Sequence, residues 1–396
     1  MDRYQPRRDT DYWNLDALEF WKSGKIKGTA DIRVINDNLG RVGRIAFLPK
    51  PSNSRSSDLL LIRPEAGIIQ RIPLSDSEKI TEIHNDDKEL IDIAGHENHL
   101  YVLTRQDDKF VVTQYRANPA RLLPNKKWFV ETNQLLPTSR IRITSGQQSK
   151  LAFIGPCRDG HMLSVELSDS LVTRDLFIRI GDGEVKLDPE IDFCIDSRKG
   201  TLIITDTRRH RVLEADFHSG AARIICGGDK AGDAAEEEVA RRAALNYPKA
   251  VVIYRPAELV REALLSQRSL SFLRDVAYPW KPRTILVADA GNFKVKKFVE
   301  LAGIAAHGLA ASTEPFLYTL LGSGKESTDK APRFPKKNVV DLRQCSIPEP
   351  TALTVSDFGE LVIGCRSNRV LICLRPASAL SDEKVAQVSD DIHISK

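Results

Sequence analysis

Three stretches of the chain decide its fold: TLIITDTRRHRVLEADF (201–217), TILVADAGNFKVKKFVE (284–300) and ELVIGCRSNRVLICLRP (360–376). They align without a gap. Each begins with an apolar run rich in Ile, Val and Leu, continues through a polar turn, and reaches a basic residue followed by Val at the start of a second run. Apolar runs of about four to eight residues bounded by turn residues are typical of buried strands. The pattern therefore predicts a repeated pair of antiparallel strands.

The same turn recurs upstream in weaker form. The windows that contain it start at Ile62, Thr104, Pro156, Asp206, Asp289 and Gly364. The shorter spacings lie near the roughly 40–50 residues of one propeller blade. We therefore predict an all-β, six-bladed β-propeller in which these turns join the second and third strands of each blade. To close the ring, the strand DIRVIN (31–36) is expected to pair with blade six, since an open ring leaves an unpaired strand edge.

Three segments extend the predicted ring. Residues 1–30 are expected to form an N-terminal helical appendage, with a short helix at 13–21. Residues 31–376 form the propeller, and an insertion at 255–283 in blade five has apolar residues at helical spacing. A polar C-terminal tail follows at 377–396.

The composition excludes several classes of protein. The 396 residues are 41% hydrophobic and 28% charged, which excludes disorder, collagen and a disulfide-dense scaffold. No apolar run approaches the roughly 18 residues of a membrane-spanning helix, and the first residues lack the apolar core of a secretory signal. The net charge of +4 is too small to indicate nucleic-acid binding by itself. We expect a cytoplasmic protein without membrane contact, whose six cysteines are buried thiols.

The turn resembles that of the NHL repeat, in which an Asp at the strand end is followed, after two or three residues, by Asn-His-Arg and then Val or Ile. Here it stands as DTRRHRV (206–212) and DAGNFKV (289–295), and in the third copy Gly364 replaces the Asp and Ser367 the Asn. The loop at 227–253 also resembles the connection between blades in that family, with Leu-Asn-x-Pro before the next inner strand. The resemblance implies an NHL-like propeller. The Asp itself is expected to set the turn by accepting local backbone N–H groups.

Arginine recurs at the second or third position of most of these turns: Arg63, Arg105, Arg158, Arg208 and Arg366. In a propeller these turns and the connections between blades open on one face, which adds the following cations: Arg209, Lys325, Lys330, Arg333, Lys336 and Lys337. Such a face suits an acidic protein surface, a phosphopeptide or RNA. The alternative is ordinary solvated arginine, balanced by acids in the same turns: Glu65, Asp107, Asp108, Asp159 and Asp206.

Sequence motifs for catalysis and metal binding fail on inspection. GSGKES (322–327) has Thr319 where a phosphate loop needs its first Gly, and Glu326 where it needs Ser or Thr. HENH (96–99) lacks the spacing of a zinc-hydrolase motif. We therefore predict no cofactor, no metal site and no catalytic residue.

These observations favour a non-catalytic propeller scaffold that binds a protein partner through the arginine-bearing face. RNA binding on the same face is one alternative, although the turns carry few aromatic residues for base stacking. A second is a propeller enzyme of lyase or lactonase type, with its site in the central channel. The insertion at 255–283 is a further candidate surface, expected on the opposite face.

Overall fold

A computed structural model of the chain describes residues 25–27, 32–35, 44–48, 58–63, 67–73, 81–84, 89–97, 99–107, 109–116, 122–146, 149–254, 283–300, 315–327, 334, 339–356, 360–366 and 370–374. Within these ranges the regular structure consists of β-strands and short 3-10 turns, without an α-helix. No helix in this part of the chain has the length and apolar character needed to cross a membrane. The helices predicted at 13–21 and in the insertion lie outside the described residues, except that Arg283, the last residue of the predicted insertion, begins a strand.

Two strands, β1 (Lys25–Lys27) and β2 (Ile32–Ile35), precede the first blade. Blade one contains β3 (Ile45–Leu48), β4 (Asp58–Arg63), β5 (Ile68–Pro73) and β6 (Thr81–His84). Blade two contains β7 (Glu89–His96), β8 (His99–Gln106), β9 (Lys109–Arg116) and β10 (Leu123–Val130). Blade three contains β11 (Leu135–Ser145), β12 (Lys150–Cys157), β13 (Met162–Leu167) and β14 (Val172–Leu176).

A small hairpin of β15 (Arg179–Ile180) and β16 (Gly183–Glu184) leads to blade four. That blade contains β17 (Phe193–Asp196), β18 (Thr201–Asp206), β19 (Arg211–Asp216) and β20 (Ala222–Gly227). Blade five contains β21 (Glu238–Val239), β22 (Pro248–Tyr254), β23 (Arg283–Asp289), β24 (Lys294–Glu300) and β25 (Phe316–Leu321). After β26 (Val339–Asp341), blade six contains β27 (Pro350–Val355), β28 (Leu361–Cys365) and β29 (Val370–Leu374). The 3-10 turns are Thr207–Arg209, Ala290–Asn292 and Leu342–Gln344.

Apolar cores lie between all pairs of neighbouring blades. The core between blades four and five joins Ile203 to Val251 and Ile285, whereas Leu202 and Ile204 of the same strand belong to the core shared with blade three. Both faces of a blade are therefore buried. This explains why the strands are continuous apolar runs and do not alternate between apolar and polar residues.

The ring closes as the sequence predicts. Strand β2 pairs antiparallel with β29, with Ile32 opposite Leu374 and Ile35 opposite Leu371, and so becomes the outer strand of blade six. The inner strands contact one another in succession around the ring, including β27 with β3. The six-bladed, all-β architecture and the closing role of 31–36 are thereby confirmed. The nearby β1 pairs with β26 and ties the end of the predicted appendage to the segment before blade six.

The turn of blade six starts one residue after the predicted window, which begins at Gly364. Cys365 pairs with Pro350 and Val370, as Asp289 pairs with Pro248 and Lys294. Cys365, and not Gly364, therefore holds the position of the hallmark Asp. The window was placed by its basic residue and the following Val, but Val370 pairs with Cys365 as Arg211, and not Val212, pairs with Asp206.

Candidate functional site

Antiparallel strand order brings the second-to-third-strand turns and the connections into the inner strands to the same end of the ring, which we call the turn face. All of the arginines predicted for the site lie at this end of their blades: Arg63, Arg105, Arg158, Arg208, Arg209 and Arg366. Lys325 is exposed there as well. The remaining predicted cations lie outside the described residues: Lys330, Arg333, Lys336 and Lys337.

Three of these arginines are half-buried. The Nε of Arg63 is buried without an acceptor among the described residues. Arg105 has its Nη1 3.8 Å from Glu89. Arg366 donates its backbone N–H to the Glu349 carbonyl. At these three turns the arginine side chains are therefore only partly exposed to a partner.

The other three are exposed but differ in their contacts. Arg209 donates from Nη1 to the Lys186 carbonyl at 3.1 Å and lies 3.4 Å from Asp206. Arg158 is exposed, and its side chain has no partner among the described residues. Arg208 is 76% exposed, with its Nε 3.4 Å from Asp188. Of the six predicted arginines, Arg158 and Arg208, on blades three and four, are therefore the most available to a partner.

The two hallmark aspartates are buried and hold the fold. Asp289 accepts the Asn246 backbone N–H at 2.6 Å and the Asn292 side-chain amide at 2.8 Å, so it joins a turn of blade five to the connection from blade four. Burial raises the pKa of Asp289 to about 6. Burial also raises the pKa of Asp206, although Arg211 donates to it from Nε at 2.8 Å.

A cavity of about 420 Å³ opens on the turn face, and we call it the channel mouth. Its walls come from blades three to six, where the connections enter the inner strands and where the turns of blades four and five approach them. Lining residues include Thr138, Asp188, Arg208, Tyr247, Lys249 and Glu349. This volume is within the range of small-ligand and peptide pockets.

Tyr247 provides the aromatic surface of the channel mouth. Its backbone has φ of 50°, a left-handed conformation that a bulky residue adopts at a cost of roughly 1–3 kcal/mol. Its N–H donates to Nδ1 of His210 at 3.2 Å, and its ring meets the His210 ring edge-on with centroids 4.7 Å apart. The side chain nonetheless stays 48% exposed. The connection therefore holds an aromatic ring at the cavity.

Side chains of opposite charge lie close together around the cavity, although its lining contains three carboxylates and only two cations. Lys249 Nζ lies 3.2 Å from Glu349 and 3.5 Å from Glu190. Asp188 accepts the backbone N–H of Arg208 at 3.0 Å. The Oγ1 of Thr138 is buried without a partner among the described residues.

Sequence reasoning identified Arg208 but missed the rest of the channel mouth. Thr207 and Gly291 also lie in the repeated turns, whereas the other lining residues lie in or beside the connections into the inner strands, which differ in sequence from blade to blade. A proline does stand in the lead-in to the inner strands of blades four, five and six: Pro189, Pro248 and Pro350. These prolines are the feature of the sequence that could have identified the connections at the cavity.

A second charged cluster lies at the other end of the ring, which we call the far face. Arg283 donates from Nη1 to Asp196 at 2.7 Å and from Nη2 to Glu300 at 2.6 Å and to Glu214. Arg223 and Lys199 also contact Glu300. Arg283 is only 2% exposed. The cluster joins blades four and five beside the point where the chain leaves for the insertion and returns from it.

A third cluster ties the inner strands of blades two, three and four. Arg142 donates from Nη1 to Asp92 at 2.9 Å and from Nη2 to Asp192 at 2.6 Å. Both aspartates are buried. Arg142 pairs with both buried carboxylates and so links neighbouring blades, which gives this cluster a structural role.

The cysteines are free thiols, as predicted. Five are buried and Cys194 is half-buried. Burial raises the pKa of the Cys157 and Cys194 thiols to about 12. Among the described residues, no three His, Cys, Asp or Glu side chains are placed to hold a metal ion together.

Comparison with known proteins supports the fold. No protein-family model matches the chain, and no curated protein sequence matches it. A Bacteroides thetaiotaomicron protein of unknown function has a similar structure, with a TM-score of 0.58 and 10% identity over 88% of this chain and 73% of its own. An auxiliary nutrient binding protein from the same organism has a TM-score of 0.54 and 13% identity, over 85% of this chain and 69% of its own. Another auxiliary nutrient binding protein, from Bacteroides ovatus, has a TM-score of 0.54 and 12% identity, over 84% of this chain and 69% of its own. At these identities the likeness concerns the fold alone.

Proposed function

We propose that this protein is a non-catalytic β-propeller scaffold that binds a protein partner at the channel mouth of its turn face. The observation that carries the proposal is the cavity itself. It brings together the exposed Arg208, in the turn of blade four, and the half-exposed ring of Tyr247, in the connection to blade five. Polar loops held by a rigid scaffold are a common location for binding residues.

The molecule's construction supports a binding role. Apolar cores between all neighbouring blades hold the loops in fixed relative positions. Arginine and tyrosine are enriched among the residues that dominate protein interfaces. We assign the propeller to the NHL-like type and regard 1–30, 255–283 and 377–396 as additions to it. None of the six cysteines forms a disulfide, which fits a reducing compartment, so we place the protein in the cytoplasm.

The proposal is tested by capturing partners from native cell lysate on tagged chains. We expect the variant Arg208→Glu to lose most of the captured partner, because a carboxylate replaces the exposed cation at the cavity. The matched control is Arg116→Glu, which changes an exposed arginine at the far face of blade two. Equal melting temperatures would show that both variants are folded. Capture that survives Arg208→Glu, or fails equally with Arg116→Glu, contradicts the proposal.

A further inference from the structure

Three buried polar atoms without partners lie at the start of the inner strand of blade three. They are Nη1 of Arg44, Oγ1 of Thr138 and Nε of Arg140, and none has a hydrogen-bond partner among the described residues. Arg44 precedes the inner strand of blade one, but its Nη2 donates to the Pro137 carbonyl at 2.6 Å, which brings its guanidinium to the same place. Buried polar groups in folded proteins normally have partners, so three of them together favour a bound ligand.

The backbone of β11 is irregular at this position. Residues 136–139 stand opposite Pro156 alone in the pairing of β11 with β12. Irregularities of this kind re-aim side chains and are frequent beside binding sites. The segment contains the Pro137 carbonyl that anchors Arg44 and the Thr138 side chain that lines the channel mouth. The three atoms therefore adjoin the channel mouth on its blade-three side.

The groups around these atoms carry a surplus positive charge. Four cations and three carboxylates lie together there: Arg44, Arg105, Arg140 and Arg142 with Glu89, Asp92 and Asp192. Arg142 donates to both aspartates, and Glu89 is paired with Arg105. One positive charge therefore remains, and it is shared by Arg44 and Arg140.

Arg44 and Arg140 are the arginines of this group whose charge is least compensated. Nη1 of Arg140 lies 3.7 Å from Asp92, which is beyond hydrogen-bond distance. Burial, followed by repulsion from Arg140, lowers the pKa of Arg44 to about 10. An anion beside the two guanidinium groups would relieve that repulsion.

The unpartnered atoms define the chemistry of the ligand. Guanidinium N–H groups only donate hydrogen bonds, and the Thr138 hydroxyl can donate as well. An ionised carboxylate only accepts them, and its single charge equals the surplus. A phosphate carries about −1.5 to −2 at neutral pH and would exceed the surplus. The second charge of a phosphate would also be repelled by the acids that line the channel mouth: Asp188, Glu190 and Glu349.

The channel mouth provides room for the rest of such a ligand. Thr138 and Tyr247 line the same cavity of about 420 Å³, and the ring of Tyr247 is half-exposed. A carboxylate held beside Thr138 would place the apolar body of its molecule in this cavity, where it can pack against that ring.

We propose that Arg44, Thr138 and Arg140 bind the carboxylate of a small organic acid with a single negative charge, whose apolar body lies in the channel mouth. The occupant is a free small molecule, because the carboxylate has to reach atoms that lie behind the wall of the cavity. The site does not depend on the protein partner proposed above, since Arg208 is not one of its residues.

Four probes with the same phenyl ring test the site: benzoate, benzamide, phenyl phosphate and benzylamine. Ligand-observed NMR titration of the full chain gives each dissociation constant. We expect benzoate to bind about tenfold or more tightly than each of the others, because a hydrogen bond to a charged group contributes on that scale. Equal or tighter binding of any comparison probe, or no measurable binding of benzoate, would overturn the proposal.

Variants locate the site. Arg44→Gln and Arg140→Gln should each weaken benzoate binding by about tenfold, and the matched control Arg116→Gln, at the far face of blade two, should leave it unchanged. Thr138→Val removes the hydroxyl with little change of shape and should weaken binding severalfold. Circular dichroism checks that each variant is folded, and Thr138→Val decides the outcome if an arginine variant is not. Unchanged affinity in any of these three variants, once folded, contradicts the proposal.

The two proposals fail in different ways. If benzoate binds through Arg44 and Arg140 while partner capture survives Arg208→Glu, the acid site exists and the protein interface lies elsewhere. If capture depends on Arg208 while benzoate does not bind, the channel mouth is a protein interface without an acid site.

Discussion

The channel mouth and the far face use the same kinds of residue in opposite ways. On the far face, Arg283 is buried and shared among Asp196, Glu214 and Glu300, all of which lie on strands. At the channel mouth, Arg208 lies in a turn, has one long contact with Asp188 and is largely exposed. An arginine whose donors are all used stabilises the fold, whereas one with free donors is available to a partner.

The difference also appears in the neighbouring acids. Burial alone would raise the pKa of Glu300, but the attraction of Arg283 and Lys199 outweighs it and lowers that pKa. Among the described residues, no cation lies as close to Asp289 on the turn side of blade five as Arg283 does to Glu300. Lys296 Nζ is 3.9 Å from Asp289, and burial raises the pKa of Asp289 to about 6. On the far face, the charged form of Glu300 is therefore stabilised by its cations. On the turn side of blades four and five, burial destabilises the charged forms of Asp206 and Asp289.

The largest expected effect is on stability. Arg283→Met should lower the free energy of unfolding by about 3–5 kcal/mol, because it leaves buried carboxylates without their main cation. Arg208→Met should change it by less than about 0.5 kcal/mol, as is usual for an exposed site. Urea unfolding of both variants measures the two values. Similar losses for both would remove the distinction between the two regions.

The second prediction concerns pH. Asp289 ionises at about 6 in the folded protein against an ordinary value of 3.8, so the folded state retains a proton that the unfolded state has released. The contribution of Asp289 to the free energy of unfolding is therefore fully favourable below about pH 4. It falls by up to about 3 kcal/mol as the pH rises through 6. Asp289→Asn cannot ionise, so its stability relative to the native chain should increase between pH 4 and 7.

Asp216 is the matched control for this pH effect. The backbone N–H of Ser219 lowers the pKa of Asp216. Its contribution is therefore present at neutral pH and lost on acidification. Asp216→Asn should lose stability relative to the native chain as the pH rises, with the opposite sign to Asp289→Asn and a smaller size. Unfolding curves across the pH range measure both, and slopes of equal sign would contradict the assignment.

A small effect on stability is also expected at Tyr247. Tyr247→Asn places a residue that tolerates positive φ in the same conformation, so relief of strain should offset the lost ring contact to within about 1 kcal/mol. Partner capture should nevertheless fall. Phe129→Asn changes an exposed aromatic residue on the outer strand of blade two and should leave capture unchanged. A variant at Tyr247 that unfolds readily would mean that the ring serves the fold.

Local features explain how much of the fold could be predicted. The apolar runs, the polar turns and their spacing recur along the chain, so the number of blades, the position of the turns and the closing strand follow from periodicity. The register of blade six did not follow, because its Val370 stands where blade four has Arg211. The role of Arg283 was also missed, since its partners are as far away in sequence as Asp196.

The candidate site shows the same division. Arg208 could be identified because its turn is part of the repeat. Tyr247, Lys249 and Glu349 could not, because they lie in or directly after connections that differ in sequence from blade to blade.

The amino-acid sequence alone determined the architecture of this protein, because strand periodicity and turn chemistry depend on residues close together in the chain. Only the tertiary structure decided which arginines keep free donors and where a cavity forms. Those properties depend on distances between blades, which join residues as far apart in sequence as Thr138 and Glu349 around one opening.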